Sequence, residues 1–210
     1  PGLRRRMDGQ DLLARLRTEN ETPLSRLGSS KALYAVTDGG MDAASVAAAA
    51  ATETTHAARV FDDWADDGGP GAATFAAAAD RARDGLERVE PDGFEPSDAP
   101  PLYDHLADLD DPVERAAGLL ARALVTGKTF EQMVGFHVGN ADPRTAETFR
   151  GLRDAVATGR EDAVDLLDDL CGDEADWERA FAAGDDAVAV AYDDYVSTLE
   201  AMGIEPKNVC

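Results

Sequence analysis

Lysine is nearly absent from this chain, with 3 residues against 17 arginines. The acids are biased the other way: 28 Asp and 14 Glu give a formal net charge of −22. Short, strongly hydrated carboxylates spread over every segment, with almost no Lys, suit a protein that must stay hydrated in molar salt. At such ionic strength the Debye length falls to about 3 Å and self-repulsion is screened. The composition therefore predicts a halophilic, cytoplasmic protein. The acids form no block, which argues against a polyanionic tail. The one basic cluster, Arg4-Arg5-Arg6, reads as a solvated terminus rather than a nucleic-acid arm.

Other absences exclude whole classes. No run reaches the roughly 18 apolar residues of a membrane span, and no apolar run marks a signal peptide. Cysteine occurs twice, at Cys171 and Cys210, without CxxC spacing. Two free thiols are expected, not a disulfide framework or a thiolate zinc site. Gly68-Gly69-Pro70-Gly71 joins two helical patterns rather than a strand and a helix, so it is a turn and not a phosphate loop. No nucleophile elbow is present. Val and Ile are sparse, and no segment reads as a strand.

What is present is alanine at helical spacing. Short helices are predicted over 9–16 and 23–36, the second stopped by Asp38-Gly39-Gly40. Asp42 caps a long helix over 43–66 with the stripe Val46, Ala50, Ala57, Val60, Phe61 and Trp64. A helix over 72–90 follows, then a proline-rich crossover over 91–101 and a short helix over 102–109. Pro112 opens the next helix, with a pause expected at Thr126-Gly127 and resumption over 129–139. Helices over 143–157, 161–170 and 174–202 complete the pattern. Three parts result: an N-terminal helical arm over 1–41, a bundle over 42–170, and a C-terminal helix and tail over 171–210, together one domain. A long crossover between two helical hairpins is what a ferritin-like four-helix bundle requires.

Several stretches carry a family resemblance: 19–34 (ENETPLSRLGSSKALY), 60–66 (VFDDWAD), 101–118 (PLYDHLADLDDPVERAAG) and 136–153 (FHVGNADPRTAETFRGLR). Asp176-Trp177-Glu178-Arg179 and the ending through Tyr195 add to them. The chain resembles a haloarchaeal branch of the rubrerythrin family, in the ferritin-like superfamily. That resemblance implies an all-α ferritin-like four-helix bundle, extended by short N-terminal helices and a long C-terminal helix. It also implies a di-iron centre and peroxide reduction. Chains that look like this one are also described as transcription anti-termination proteins.

A di-iron site needs one Glu from each of two helices and a Glu-x-x-His from each of the other two. Glu53-Thr54-Thr55-His56 supplies one such pair, with Glu53 on the apolar stripe. The following helix offers Ala82 and Gly85 where the second pair would point inward, and neither can ligate. Glu114, Glu131 and His137 complete the candidate ligands, with His137 on an apolar face beside Phe130, Met133 and Val134. Glu147 aligns with Arg150 and Asp154 on a solvent face, and His105 is expected at the surface. A rubredoxin-type CxxC pair is lacking, so electrons would have to come from another protein.

The favoured expectation is a metal-free helical module without a cofactor, whose partners are a second copy or another protein. The alternatives are an iron redox protein using Glu53, His56, Glu114, Glu131 and His137, and a transcriptional regulator contacting RNA through Arg4-Arg5-Arg6.

Overall fold

The computed structural model describes residues 7–206. Arg4-Arg5-Arg6 and Cys210 lie outside the described residues. Within them the fold is all-α and contains no strand. In chain order the helices are α1 (Gly9–Glu19), α2 (Glu21–Leu27), α3 (Ser30–Val36), α4 (Ala43–Asp66) and α5 (Ala72–Val89). They are followed by α6 (Pro101–Ala107), α7 (Pro112–Gly139), α8 (Pro143–Leu170) and α9 (Glu174–Ala201).

The surplus of Asp also sets where helices begin. Asp42 accepts from the Ser45 amide at 2.9 Å and starts α4. Asp111 accepts from Val113 and Glu114 at α7, Asp142 from Thr145 at α8, and Asp173 from Ala175 and Asp176 at α9. Each cap satisfies amides that the helix leaves unpaired and sets a negative charge against the positive end of its dipole, worth about 1 kcal/mol. Pro112 and Pro143 sit in the first turns of α7 and α8, where the missing N–H costs nothing.

Two hairpins, α4–α5 and α7–α8, pack through α5 on α8, and α9 lies along α7. The short helices α1, α2 and α3 pack on α9 and on the α7–α8 hairpin, so the arm shares the core of the rest. Alanine permits the close approach: Ala50, Ala57, Ala79, Ala116, Ala117, Ala180 and Ala187 are fully buried. Larger side chains such as Phe61, Trp64, Phe75, Leu120 and Val188 fill the space between. A second cluster, with Val46, Phe130, Met133, Phe149 and Leu152, closes one end.

Three boundaries differ from the sequence reading. The predicted helix over 23–36 is two helices, broken at Gly28-Ser29, where the Ser29 hydroxyl donates to the Arg26 carbonyl at 2.6 Å. A Cβ on Gly28 would stand 3.0 Å from Lys128 Cδ, so the break also lets the arm approach α7. Conversely, α7 runs straight through Gly127 and α8 through Gly159. A mid-helix glycine costs about 1 kcal/mol, and burial along a 28-residue helix outweighs it.

The helix α6 bears most directly on the site. It inserts Leu102, Tyr103 and Leu106 into the core beside α4, α7 and α9. It lies so close to α7 that a Cβ on Gly118 would be 2.7 Å from Leu106 Cδ2. That contact brings Tyr103 against both α4 and α7.

Candidate functional site

On α4, Glu53 faces inward as its position on the stripe predicts, and its side chain is 17% exposed. Its partners come from two other helices. Tyr103 of α6 and Thr126 of α7 both donate hydroxyl hydrogen bonds to Glu53 Oε1, the latter at 2.6 Å. Arg122 of α7 sets Nη2 3.2 Å from the same oxygen and donates from Nε to the Tyr103 hydroxyl at 3.0 Å. The sequence of donors is therefore Arg122 to Tyr103 to Glu53, with Thr126 joining at the carboxylate. No hydrogen bond among the described residues reaches Glu53 Oε2.

The charges explain why this cluster tolerates burial. Arg122 is 6% exposed and Tyr103 is fully buried. An unpaired guanidinium there would be very costly, and the Glu53 carboxylate offsets it. Burial pulls the Arg122 charge down, but the neighbouring Tyr103 and Glu53 groups prevail and hold its pKa above the ordinary value. Burial, with the Glu53 charge adding to it and Arg122 opposing, pushes the Tyr103 hydroxyl well above its usual range. Tyr103 is thus a neutral phenol at any ordinary pH, able to donate and accept at once. Arg122 also lies 5.7 Å from the Phe61 ring centroid, a cation–π contact.

Two cavities flank the cluster. A small one of about 30 Å³ touches Arg122 together with Thr54, Ala82 and Gly85. Ala82 and Gly85 do point inward, as the stripe predicts, and a Cβ on Gly85 would meet Thr54 and Leu152 at 3.5 and 3.7 Å. The larger cavity, about 620 Å³, is lined by Glu53 and Thr126 and bounded by α3, α4, the crossover, α7 and α9. Its charged lining residues are Asp38, Glu53, Asp98 and Asp194, with no Lys, Arg or His among the described residues. Asp194 is half-buried without a cationic partner, and burial raises its pKa. Tyr195 also lines the cavity, is buried, and has a hydroxyl that meets no hydrogen-bond partner among the described residues. Met133, Val125 and Leu27 supply an apolar wall.

The other candidate ligands are dispersed. His56, one turn after Glu53, is buried and its Nε2 lies 2.9 Å from the Ser97 carbonyl. A carbonyl only accepts, so Nε2 donates to it, and Nδ1 meets no hydrogen-bond partner among the described residues. His137 is buried in the end cluster, stacked on Phe149 at 4.8 Å. Burial lowers its pKa, against a weaker upward pull from Asp142. Glu114 sits half-buried in the first turn of α7, eight residues or about 12 Å of helix before Arg122. Glu131 is exposed and pairs locally with Lys128 at 3.8 Å. His105 lies in α6, half-buried, with Nε2 shielded and unbonded, rather than on the open surface expected of it. Glu147 pairs with Arg150 on the solvent face, as expected. Among the described residues no three His, Cys, Asp or Glu side chains stand close enough to share a metal ion.

Sequence reasoning missed Tyr103, Arg122, Thr126 and Asp194 as site residues. One signal was there. Every residue over 116–126 is buried, and Arg122 is the lone charge in that run. A single Arg amid Ala and Leu on a central helix requires a carboxylate opposite.

No protein-family model, curated protein or solved structure matches the chain.

Proposed function

We propose that this chain is a ferritin-like helical bundle, akin to the rubrerythrin family, that works as a binding module rather than as an iron redox protein. In this reading the Arg122–Tyr103–Glu53–Thr126 network fills the place of a metal centre and fixes one wall of the larger cavity. The observation that carries it is that Glu53 Oε1 is already saturated by three donors on two other helices. A carboxylate so engaged is a structural anchor. Among the described residues the cavity it borders is lined by acids without a base, beside a buried tyrosine hydroxyl that lacks a partner. That combination suits a small organic cation: an amine to sit near Asp194, and an apolar body to lie on Met133 and Val125.

The test is a titration in molar KCl of hexylamine, hexanol and hexanoate, followed by amide shifts in NMR. Hexylamine should bind saturably with shifts confined to α3, α4, α7 and α9, and Asp194→Asn should weaken it severalfold. Hexanoate binding as well as hexylamine, or no saturable shift with any probe, would refute the reading.

A further inference from the structure

A second groove, also about 620 Å³, runs between the end of α1, the start of α2 and the middle of the α7–α8 hairpin. It uses the other face of α7: Leu124, Gly127, Lys128 and Glu131 stand about half a turn of the helix from Thr126, Thr129 and Met133, which line the first cavity. Its charged residues are Arg17, Lys128, Arg153 and Arg160 against Glu21 and Glu131. The whole chain has 20 basic and 42 acidic residues, so a ratio of about one to two is inverted here.

Local pairing engages three of the four bases and leaves Arg17 without a partner among the described residues. Arg153 and Arg160 contact only the acids next to them in sequence, Asp154 at 2.9 Å and Glu161 at 4.0 Å. Lys128 reaches only Glu131, at 3.8 Å. Arg17 is exposed at its outer edge and makes no hydrogen bond or ion pair with any described residue; partial burial of the group, then repulsion from Arg160, lower its pKa. Arg17 and Arg160 repel each other, and no ion pair among the described residues links one carboxylate to both. In a chain so rich in carboxylates, one positioned between them would have been the simplest remedy. Between the charges lies an apolar floor of Leu24, Leu124 and Val156. A Cβ on Gly127 would meet Val156 at 3.9 Å, an ordinary contact, so packing does not demand the glycine.

We propose that this groove binds the phosphate group of a small organic phosphomonoester, gripped by Arg17 and Arg160, with the apolar part of the molecule against Leu24, Leu124 and Val156. Guanidinium forks match phosphate oxygens in pairs, and a dianion between two of them turns their repulsion into attraction.

The experiment is a titration of the full chain with hexyl phosphate, inorganic phosphate, hexanol and a single-stranded RNA oligonucleotide, at one fixed molar salt concentration, followed by NMR. Hexyl phosphate should saturate with shifts at α1, α2 and the middle of α7 and α8, and should bind more tightly than inorganic phosphate. Arg17→Gln should weaken it by about tenfold or more. Arg150→Gln, on the exposed face of α8, should leave binding unchanged. The melting temperature of Arg17→Gln should equal or exceed that of the parent, which shows that the loss is one of binding and not of fold. The proposal is overturned if hexyl phosphate does not saturate, or if Arg150→Gln weakens it as much as Arg17→Gln. It is equally overturned if inorganic phosphate binds as tightly as the ester, or if only the RNA binds.

Discussion

Replacing Arg122 with Met leaves Glu53 with two neutral donors in place of a charge partner, and removes the donor to Tyr103. The two side chains are only 7% and 17% exposed, so solvent can restore little of what is lost. Removing one member of such a buried pair costs about 3–5 kcal/mol, and the partial exposure of Glu53 favours the low end, about 3 kcal/mol. In a domain of this size each kcal/mol moves the melting temperature by roughly 2–4 °C, so R122M should melt about 6–12 °C lower. The double variant E53Q/R122M behaves differently. The Gln amide oxygen still accepts from Tyr103 and Thr126, and no buried charge remains. Its loss should be about 1 kcal/mol, less than that of R122M alone, which is the mark of a mutually dependent pair. Thermal unfolding followed by circular dichroism at fixed high salt measures R122M, E53Q and the double variant alongside the parent chain. If R122M melted within about 2 °C of the parent, or the double variant fell by the sum of the single losses, Arg122 would not be what neutralises Glu53.

Asp194→Asn should stabilise the unliganded chain at neutral pH. A carboxyl whose folded pKa is raised costs stability once it ionises; that cost is absent below the unfolded pKa of about 3.9 and grows as pH rises through the folded value. Melting curves of the variant and the parent should therefore converge toward pH 4 and separate at pH 7. Cys171 is buried, and burial, with Asp176 and Asp168 adding to it, pushes its thiol up to about 11. Iodoacetamide at pH 7.5 should leave it unlabelled in the folded chain and label it after denaturation, as peptide mass mapping would reveal. The net charge of −22 should make the melting temperature fall steeply as KCl is lowered from molar to about 0.1 M, because the Debye length then lengthens to about 10 Å. A melting temperature indifferent to salt would contradict the halophilic reading of the composition.

The parts of the fold that were legible in sequence are those where a local signal and the tertiary environment agree. The start of α4 at Asp42, the stop at Asp38-Gly39-Gly40 and the turn before α5 depend on side chains within a few residues of the backbone they control. The continuity of α7 and α8 was not legible, because Gly127 and Gly159 oppose helix locally and the packing that outweighs them comes from distant segments. The same division holds at the site. Glu53 could be placed inward from the period of its own helix. Its partners could not: Tyr103 lies 50 residues away and Thr126 lies 73, on helices whose facing sides no local period relates to α4. Asp194 escaped notice because an acid on α9 resembles every other acid of the coat until its lack of a partner and its place on the cavity wall are visible.

Arg122 stands as the charge partner of Glu53, with Tyr103 and Thr126 donating to the same carboxylate oxygen, and the proposed reading needs no metal ion there. Metal analysis by mass spectrometry, on protein produced in iron- and zinc-supplemented medium and purified in high salt without chelator, tests it most directly. The predicted content is far below one ion of either metal per chain. Two iron or zinc ions per chain, lost when Glu53 is replaced by Gln, would contradict it.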